Sequence, residues 1–243
     1  MSQPENLTAF YDAAWDKWND MIRYSPAPRF RRTRILSWVR ELAAPRTLLD
    51  VGCGNGEFLL QASRELQGTE FAGADVSPAV IEANRAQLPG MNFATLDLNR
   101  EELPGRYDVV TCMEVVEHCA DHREAIARLA AMTGQWLFVT VPCGPLFEID
   151  RRVGHTRHFS PGEIREALEA AGLTVVRCQA WGFPFFNLYK HLINLNPDRA
   201  CAAFLESGSY SAAQKLLASL VYVSFRLSLP FGGYQLLVAA RRR

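Results

Sequence analysis

Blocks of apolar residues recur along this chain, and the spacing inside each block predicts its element. Short apolar runs fall at 47–51, 70–74, 107–112, 136–141 and 173–180, with a weaker one near 92–96. Their length and flanking turn residues predict strands. Between them, apolar residues recur three and four apart at 56–67, 78–87, 121–132 and 160–171, the spacing of one helix face. Ahead of the first strand, Pro4 to Asp20 and Pro28 to Ala44 read as two helices joined by Tyr24-Ser-Pro-Ala-Pro28. Ser160-Pro-Gly-Glu163 forms a capping box with proline at the first helical position, Gly172 closes that helix, and Asp121 caps the preceding one. Strands alternating with helices predict an α/β fold: a mostly parallel sheet covered on both faces. Ligands of such sheets bind at the carboxyl ends of the strands, near the point where strand order reverses.

The last strand arrives late, at Gly233 to Ala240. Residues 182–232 before it place Phe183, Phe185, Phe186, Tyr189, Leu192, Leu216, Leu220 and Val223 at helical spacing, so a helical insertion over the site mouth is expected. A stabilising cap or a homodimer surface is its alternative role. The chain thus divides into an N-terminal helical cap (1–46), a core (47–181), the insertion (182–232), and the last strand and tail (233–243). At 243 residues it fits one enlarged domain.

Composition narrows the class. Apolar residues make up 49% of the chain, which excludes disorder. No run of them is long and clean enough to span a bilayer, since Leu216 to Leu229 is broken by Ser219, Ser224 and Arg226. No signal peptide is recognised, and six cysteines without a C-x-x-C pair suit a reducing, cytoplasmic setting. Net charge is zero, but residues 47–150 carry 6 basic and 16 acidic side chains, against 12 and 5 in residues 151–243. The absence of a basic excess disfavours nucleic acid as a partner. A small-molecule substrate, anionic ones included, agrees with the basic flanks.

The richest stretch is Leu48-Leu-Asp-Val-Gly-Cys-Gly-Asn-Gly-Glu57, a strand ending near Asp50 and entering a glycine turn. Gly52, Gly54 and Gly56 let a ligand approach the backbone, and the following helix offers free N–H groups. Asp75, nineteen residues after Gly56, ends the next strand, where an acid can hold both hydroxyls of a ribose. The third glycine follows the second by two residues, not the three of the dinucleotide fingerprint. In this spacing the stretch resembles the first motif of the class I S-adenosylmethionine-dependent methyltransferases. Gly73-Ala-Asp-Val-Ser-Pro78, Ala94-Thr-Leu-Asp97-Leu and Tyr107 to His118 match the next motifs in order. The resemblance spans about residues 45–180. It implies a Rossmann-like seven-stranded sheet and S-adenosylmethionine as cofactor, held by Asp50, Gly52, Cys53, Gly54, Gly56, Asp75, Val76, Asp97, Leu98 and Met113.

The acceptor chemistry is expected after the fourth parallel strand, at Glu114-x-x-Glu117-His118. In-line transfer needs alignment and a base for the acceptor proton, a role that suits His118, with Glu114 and Glu117 orienting it. O-methylation of a small-molecule or sugar-containing biosynthetic intermediate is the function expected. The same E-x-x-E-H, with His155, resembles the metal site of small-RNA 2′-O-methyltransferases. That resemblance implies magnesium or manganese on Glu114, Glu117, His118 and His155, whereas the similar ubiquinone-pathway O-methyltransferases carry the motif without a metal. A metal-assisted ribose methyltransferase and a catalytically silent cofactor-binding protein are the alternatives. His155, His158, Arg157, Phe185 and Tyr189 are the expected substrate contacts. Arg151 and Arg152 offer further anion contacts, and one of Arg29, Arg31, Arg32 and Arg34, with Tyr11 or Tyr24, could reach the cofactor carboxylate or an acidic substrate. A solvated helix face is the favoured alternative for that run. Trp15 and Trp18 should share one apolar face, and Arg241 to Arg243 should be a solvated tail.

Overall fold

The computed structural model describes residues 19–204 and 208–243, so Tyr11, Trp15, Trp18 and most of the expected first helix lie outside the described residues. Seven strands form one sheet: β1 (Thr47–Val51), β2 (Glu70–Asp75), β3 (Asn92–Thr95), β4 (Tyr107–Met113), β5 (Thr133–Pro142), β6 (Leu173–Trp181) and β7 (Gln235–Arg242). Their order is β3-β2-β1-β4-β5-β7-β6. β7 alone is antiparallel, pairing β5 through Val139↔Val238 and β6 through Cys178↔Val238. Each expected strand is present, and the late strand β7 pairs with β6 across the insertion.

Alternation along the strands feeds two cores. Leu48, Phe71 and Val109 face one side with Trp38, Phe58, Leu59 and Trp181. Leu49, Ala72 and Val110 face the other, with Ile126 and Leu129 of helix His122–Met132 and Ile164 and Leu168 of helix Pro161–Ala170. The expected caps form. Ser160 accepts from the Glu163 amide while Glu163 accepts from the Ser160 amide, and Asp121 accepts from Arg123 and Glu124. Gly172, at φ +84°, ends the helix in a conformation that disfavours a side chain.

The insertion is helical, with helices Phe185–Ile193, Pro197–Phe204 and Ala212–Phe225. It is fastened to the sheet by rings. Phe30 stacks on Trp181 with centroids 3.6 Å apart, and Phe186 and Phe225 pack on Trp181 at 5.0 and 5.6 Å. Two expectations fail on this scaffold. The arginine run on helix Pro26–Leu42 is not a solvated face: Arg32 is buried and donates to the Ile22 and Arg23 carbonyls, at the end of the helical residues 19–24. The C-terminal arginines are not a free tail either. Arg241 and Arg242 continue β7, and Arg242 donates to the Ala130 and Thr133 carbonyls that end a neighbouring helix.

Candidate active site

One cavity of about 380 Å³ opens at the carboxyl ends of β1, β2 and β4, where strand order reverses. Its first end is built by the glycine turn. The Gly52 and Cys53 amides donate to the Ala74 carbonyl at 2.7 and 3.0 Å, which ties the turn to β2. The Gly54 amide donates to Asp75 Oδ2 and the Ser77 amide to Oδ1, so the turn orients the carboxylate. Gly52 is required twice over: it sits at φ +74°, and a Cβ there would meet Val115 Cγ2 at 2.2 Å. Asp50, Gly52, Cys53, Gly54, Asp75, Val76, Asp97, Leu98 and Met113 all line the cavity.

Gly56 does not. It caps helix Glu57–Glu65 at φ +71°, and its missing Cβ makes room for Leu88 and Asn84, so its role is packing. Asn84 was not expected. It is buried under the turn and donates to the Gly54 carbonyl at 2.6 Å. Asp50 is buried and accepts from Thr111 Oγ1 at 2.6 Å. Burial lifts its carboxyl to about 7, and the charge of Asp75 adds to this against the Thr111 bond.

The second end lies between the turn after β4, the loop after β5 and the insertion. Glu114 adopts φ 58°, an uncommon conformation for a non-glycine residue. Its carboxylate is held on three sides, by Thr140 Oγ1 at 2.9 Å, Gln235 Nε2 at 2.8 Å and Arg31 Nη1 at 3.5 Å. Glu114 lines the same cavity but is not part of the group of ligand atoms that Glu117, His118 and His155 bring together. Arg31 and Gln235, which also bond each other, line the cavity. Gln235 sits in the last strand, far from any motif, and gave no signal in the sequence.

The short 3-10 turn Val116–His118 carries the other two residues of the motif. His118 Nδ1 lies 3.0 Å from the Gly154 carbonyl. A carbonyl only accepts, so Nδ1 holds the proton and Nε2 the lone pair. Burial lowers the His118 pKa and favours this neutral form. Glu117 is fully buried, and neither carboxylate oxygen has a hydrogen-bond partner among the described residues. Burial and the charge of Glu114 push its pKa well up. His155 Nε2 stands 3.9 Å from Glu117, its ring edge-on to His118 with centroids 5.0 Å apart, and its Nδ1 has no partner. Glu117, His118 and His155 offer three ligand atoms within 4.8 Å of one another; so do Asp150, His155 and His158, although Lys190 pairs with Asp150 there.

The remaining expected contacts sort cleanly. Tyr189 and His155 line the cavity. His158 stands behind the wall, against Asp150 and the Gly144 carbonyl. Arg157 turns outward to His122, Glu163 and the Phe159 ring. Arg151 and Arg152 pair with Glu148, and Arg152 also with Asp198. Phe185 is exposed; its neighbour Phe186 takes the inward place, one residue being enough to turn a helical side chain about 100°. Tyr24 lies under Arg23 and Lys215 and does not line the cavity. Tyr234, Ile193 and Ile149 complete an apolar wall.

Comparison with known proteins bears on this site. A family model described as Methyltransferase domain matches residues 28–177. Among curated relatives, a ubiquinone biosynthesis O-methyltransferase of Albidiferax ferrireducens is 29% identical over 146 residues, covering 56% of this chain and 58% of that protein. The chain thus spans little more than half the length of that relative. Another protein of that name, from Acinetobacter baylyi, is 27% identical over 70% of this chain and 82% of its own length. Among solved structures, the N-methyltransferase NodS of Bradyrhizobium japonicum, in complex with S-adenosyl-L-homocysteine, aligns with a TM-score of 0.63. It is 17% identical, over 98% of this chain and 99% of that one. Magnesium protoporphyrin IX methyltransferase of Synechocystis aligns at 0.60 and 18% identity, over 96% of both chains.

Proposed function

The chain belongs to the methyltransferase-domain family, and from that premise we propose that it is an S-adenosylmethionine-dependent methyltransferase acting on a hydroxyl oxygen of a small molecule. The observation that carries this reading is His118. Its Nδ1–H is directed at the Gly154 carbonyl, burial lowers its pKa and so favours the neutral ring, and it lines the cavity beyond Met113. A neutral imidazole with its lone pair on Nε2 is the group that in-line transfer to an O–H requires, because the sulfonium methyl is already activated and only the acceptor proton needs a destination. The cofactor is assigned to the glycine-turn end, with Asp75 against the ribose hydroxyls and Asp97 near the adenine. The acceptor lies between His118 and the wall of Phe186, Tyr189, Ile193 and Tyr234, which suits an apolar body bearing a hydroxyl. The names of the curated relatives favour oxygen as the acceptor atom.

A divalent ion is the second reading, favoured by the Glu117 carboxyl, buried without a partner. Magnesium or manganese would be held by Glu117, His118 and His155, a mixed oxygen and imidazole set, and would supply a Lewis acid for the acceptor oxygen. Glu114 is drawn out of the set by Gln235 and Arg31. Labelled S-adenosylmethionine offered with hydroxylated aromatic acceptors, and with matched amines, tests the proposal. Label on the hydroxylated acceptors supports it, and label confined to the amines refutes it. The same assay in excess chelator separates the two readings, because full activity there removes the metal.

A further inference from the structure

Of the exposed large apolar side chains among the described residues, all but Val176 lie between Phe183 and Phe231. They form stripes at helical spacing. Leu188 and Leu192 run along the outer side of helix Phe185–Ile193. Leu216, Leu220, Val223 and Leu227 run along the outer side of helix Ala212–Phe225 and past its end. Leu188 is 55% exposed and Leu220 61%. The inner sides of the same helices are apolar too, through Phe186, Tyr189, Ala218 and Phe225. Apolar stripes on both the inner and the outer side of these helices predict cover on both sides. Such a concentration of apolar surface in one segment marks an interaction face.

We propose that this face docks on the surface of a lipid bilayer, its leucines entering the boundary between headgroups and acyl chains. Charge selects this occupant. Residues 182–232 carry 4 basic and 2 acidic side chains, and of the acids Asp198 is already paired with Arg152. Arg199 and Arg226 stand exposed on the same insertion and have no ion-pair partner among the described residues. Anionic headgroups supply the missing countercharge, and basic residues beside an apolar stripe strengthen interfacial binding. A second copy seated on the same face by two-fold symmetry would instead bring a second set of these arginines to it.

The position of the face fits the cavity. Helix Phe185–Ile193 is a wall one helix thick, with Tyr189 and Ile193 lining the cavity and Leu188 and Leu192 outside. An apolar acceptor dissolved in the bilayer boundary would have only that wall to pass. This route rests on the proposed reaction; the docking does not. No helix among the described residues is long and apolar enough to cross a membrane, so the attachment is peripheral.

Flotation of the full chain tests the proposal, using phosphatidylcholine vesicles with and without phosphatidylglycerol. The chain should float with the anionic vesicles, less with the neutral ones, and lose affinity as salt screens the arginines. Leu192→Glu with Leu220→Glu should lower partitioning at least about tenfold, the effect of removing two side chains from apolar contact. Both leucines already face solvent, so the melting temperature and S-adenosylmethionine affinity should be unchanged. The milder pair Leu192→Ser with Leu220→Ser guards against misfolding and should lose binding in the same direction. Absence of flotation with either vesicle overturns the proposal. So does a lipid-free dimer of the wild-type chain that Leu220→Glu dissociates, because the face then belongs to a second copy. Flotation is read without acceptor or turnover, so it fails or succeeds independently of the proposed reaction.

Discussion

The two ends of the cavity are built on opposite terms. At the glycine-turn end, the polar groups answer one another: Gly54 donates to Asp75, Asn84 donates back to Gly54, and Thr111 donates to Asp50. At the other end, both oxygens of Glu117, Nδ1 of His155 and Nε2 of His158 are buried without a hydrogen-bond partner among the described residues. Buried polar groups normally find partners, because an unmade bond costs about 1–3 kcal/mol. The first end is therefore complete before a ligand arrives, and its backbone fixes what it can hold. The second end leaves bonding capacity for what enters, and its specificity resides in side chains from four separate segments.

The largest expected effect falls on the unfinished end. His118→Ala should lower turnover by about 10²–10⁴-fold with little change in cofactor affinity, the usual contribution of a general base. The His118 pKa is lowered, so the neutral base survives below its ordinary 6.5. Activity of the wild type should accordingly fall only as pH drops through a value under 6.5, and His118→Ala should abolish that acid limb. A rate profile with unchanged turnover in the variant would make His118 structural.

The finished end should fail differently. Gly52→Ala introduces a Cβ 2.2 Å from Val115 and a side chain at φ +74°. Strain and clash together should cost about 2–4 kcal/mol, shared between folding stability and cofactor affinity. Calorimetric titration with S-adenosylmethionine beside a melting curve checks this. If affinity and melting temperature both hold, the turn is more adaptable than its hydrogen bonds imply, and the contrast between the ends weakens.

The same contrast explains what the sequence made legible. The glycine turn, Asp75 and Asp97 could be placed because a backbone-defined site leaves a local signature: glycines at fixed offsets and acids at strand ends. Strand positions and helix caps were legible because their signals are equally local, whereas the strand order was not read from the sequence. The acceptor end was half legible. Glu117, His118 and His155 do converge, while the carboxylate of Glu114 is engaged by Gln235, Thr140 and Arg31, which come from three distant segments and left no local signal. Arg157 and Phe185 do not line the cavity, and a loop arginine or a pair of adjacent aromatics carries no directional code that could have shown it. Asp150 and Lys190 pair across forty residues and could not be read at all.

A smaller effect sharpens the account of the bare carboxyl. Burial and Glu114 raise the Glu117 pKa well above 4.5. A carboxyl raised in the folded state contributes stability that is full below the unfolded value and is lost as pH rises through the folded one. Wild-type stability should thus decline as pH rises above about 4.5, and Glu117→Gln should flatten the decline. Urea melts across that range read it out. A bound divalent ion would reverse the outcome, because it holds the carboxylate ionised. Wild type would then outlast the Gln variant at alkaline pH, and chelator would remove the difference.

The smallest effect discriminates two adjacent rings. Phe185 and Phe186 open the same helix, yet Phe185 is 36% exposed and Phe186 4%. Phe186 packs on Trp181 and Phe225 with centroids at 5.0 and 5.4 Å and lines the cavity. Its truncation belongs with core aromatics, whose loss costs about 3–5 kcal/mol. Phe185→Ala removes a ring from the outer side and should change stability by no more than about 0.5 kcal/mol, with kcat and acceptor KM unaltered. Its one expected consequence is weaker partitioning onto anionic vesicles, because its ring belongs to the outer apolar face. The three measurements together locate the helix surface that divides cavity from exterior. A raised acceptor KM in Phe185→Ala would mean that the helix turns by about one residue when substrate binds, and the wall between the two would have to be redrawn.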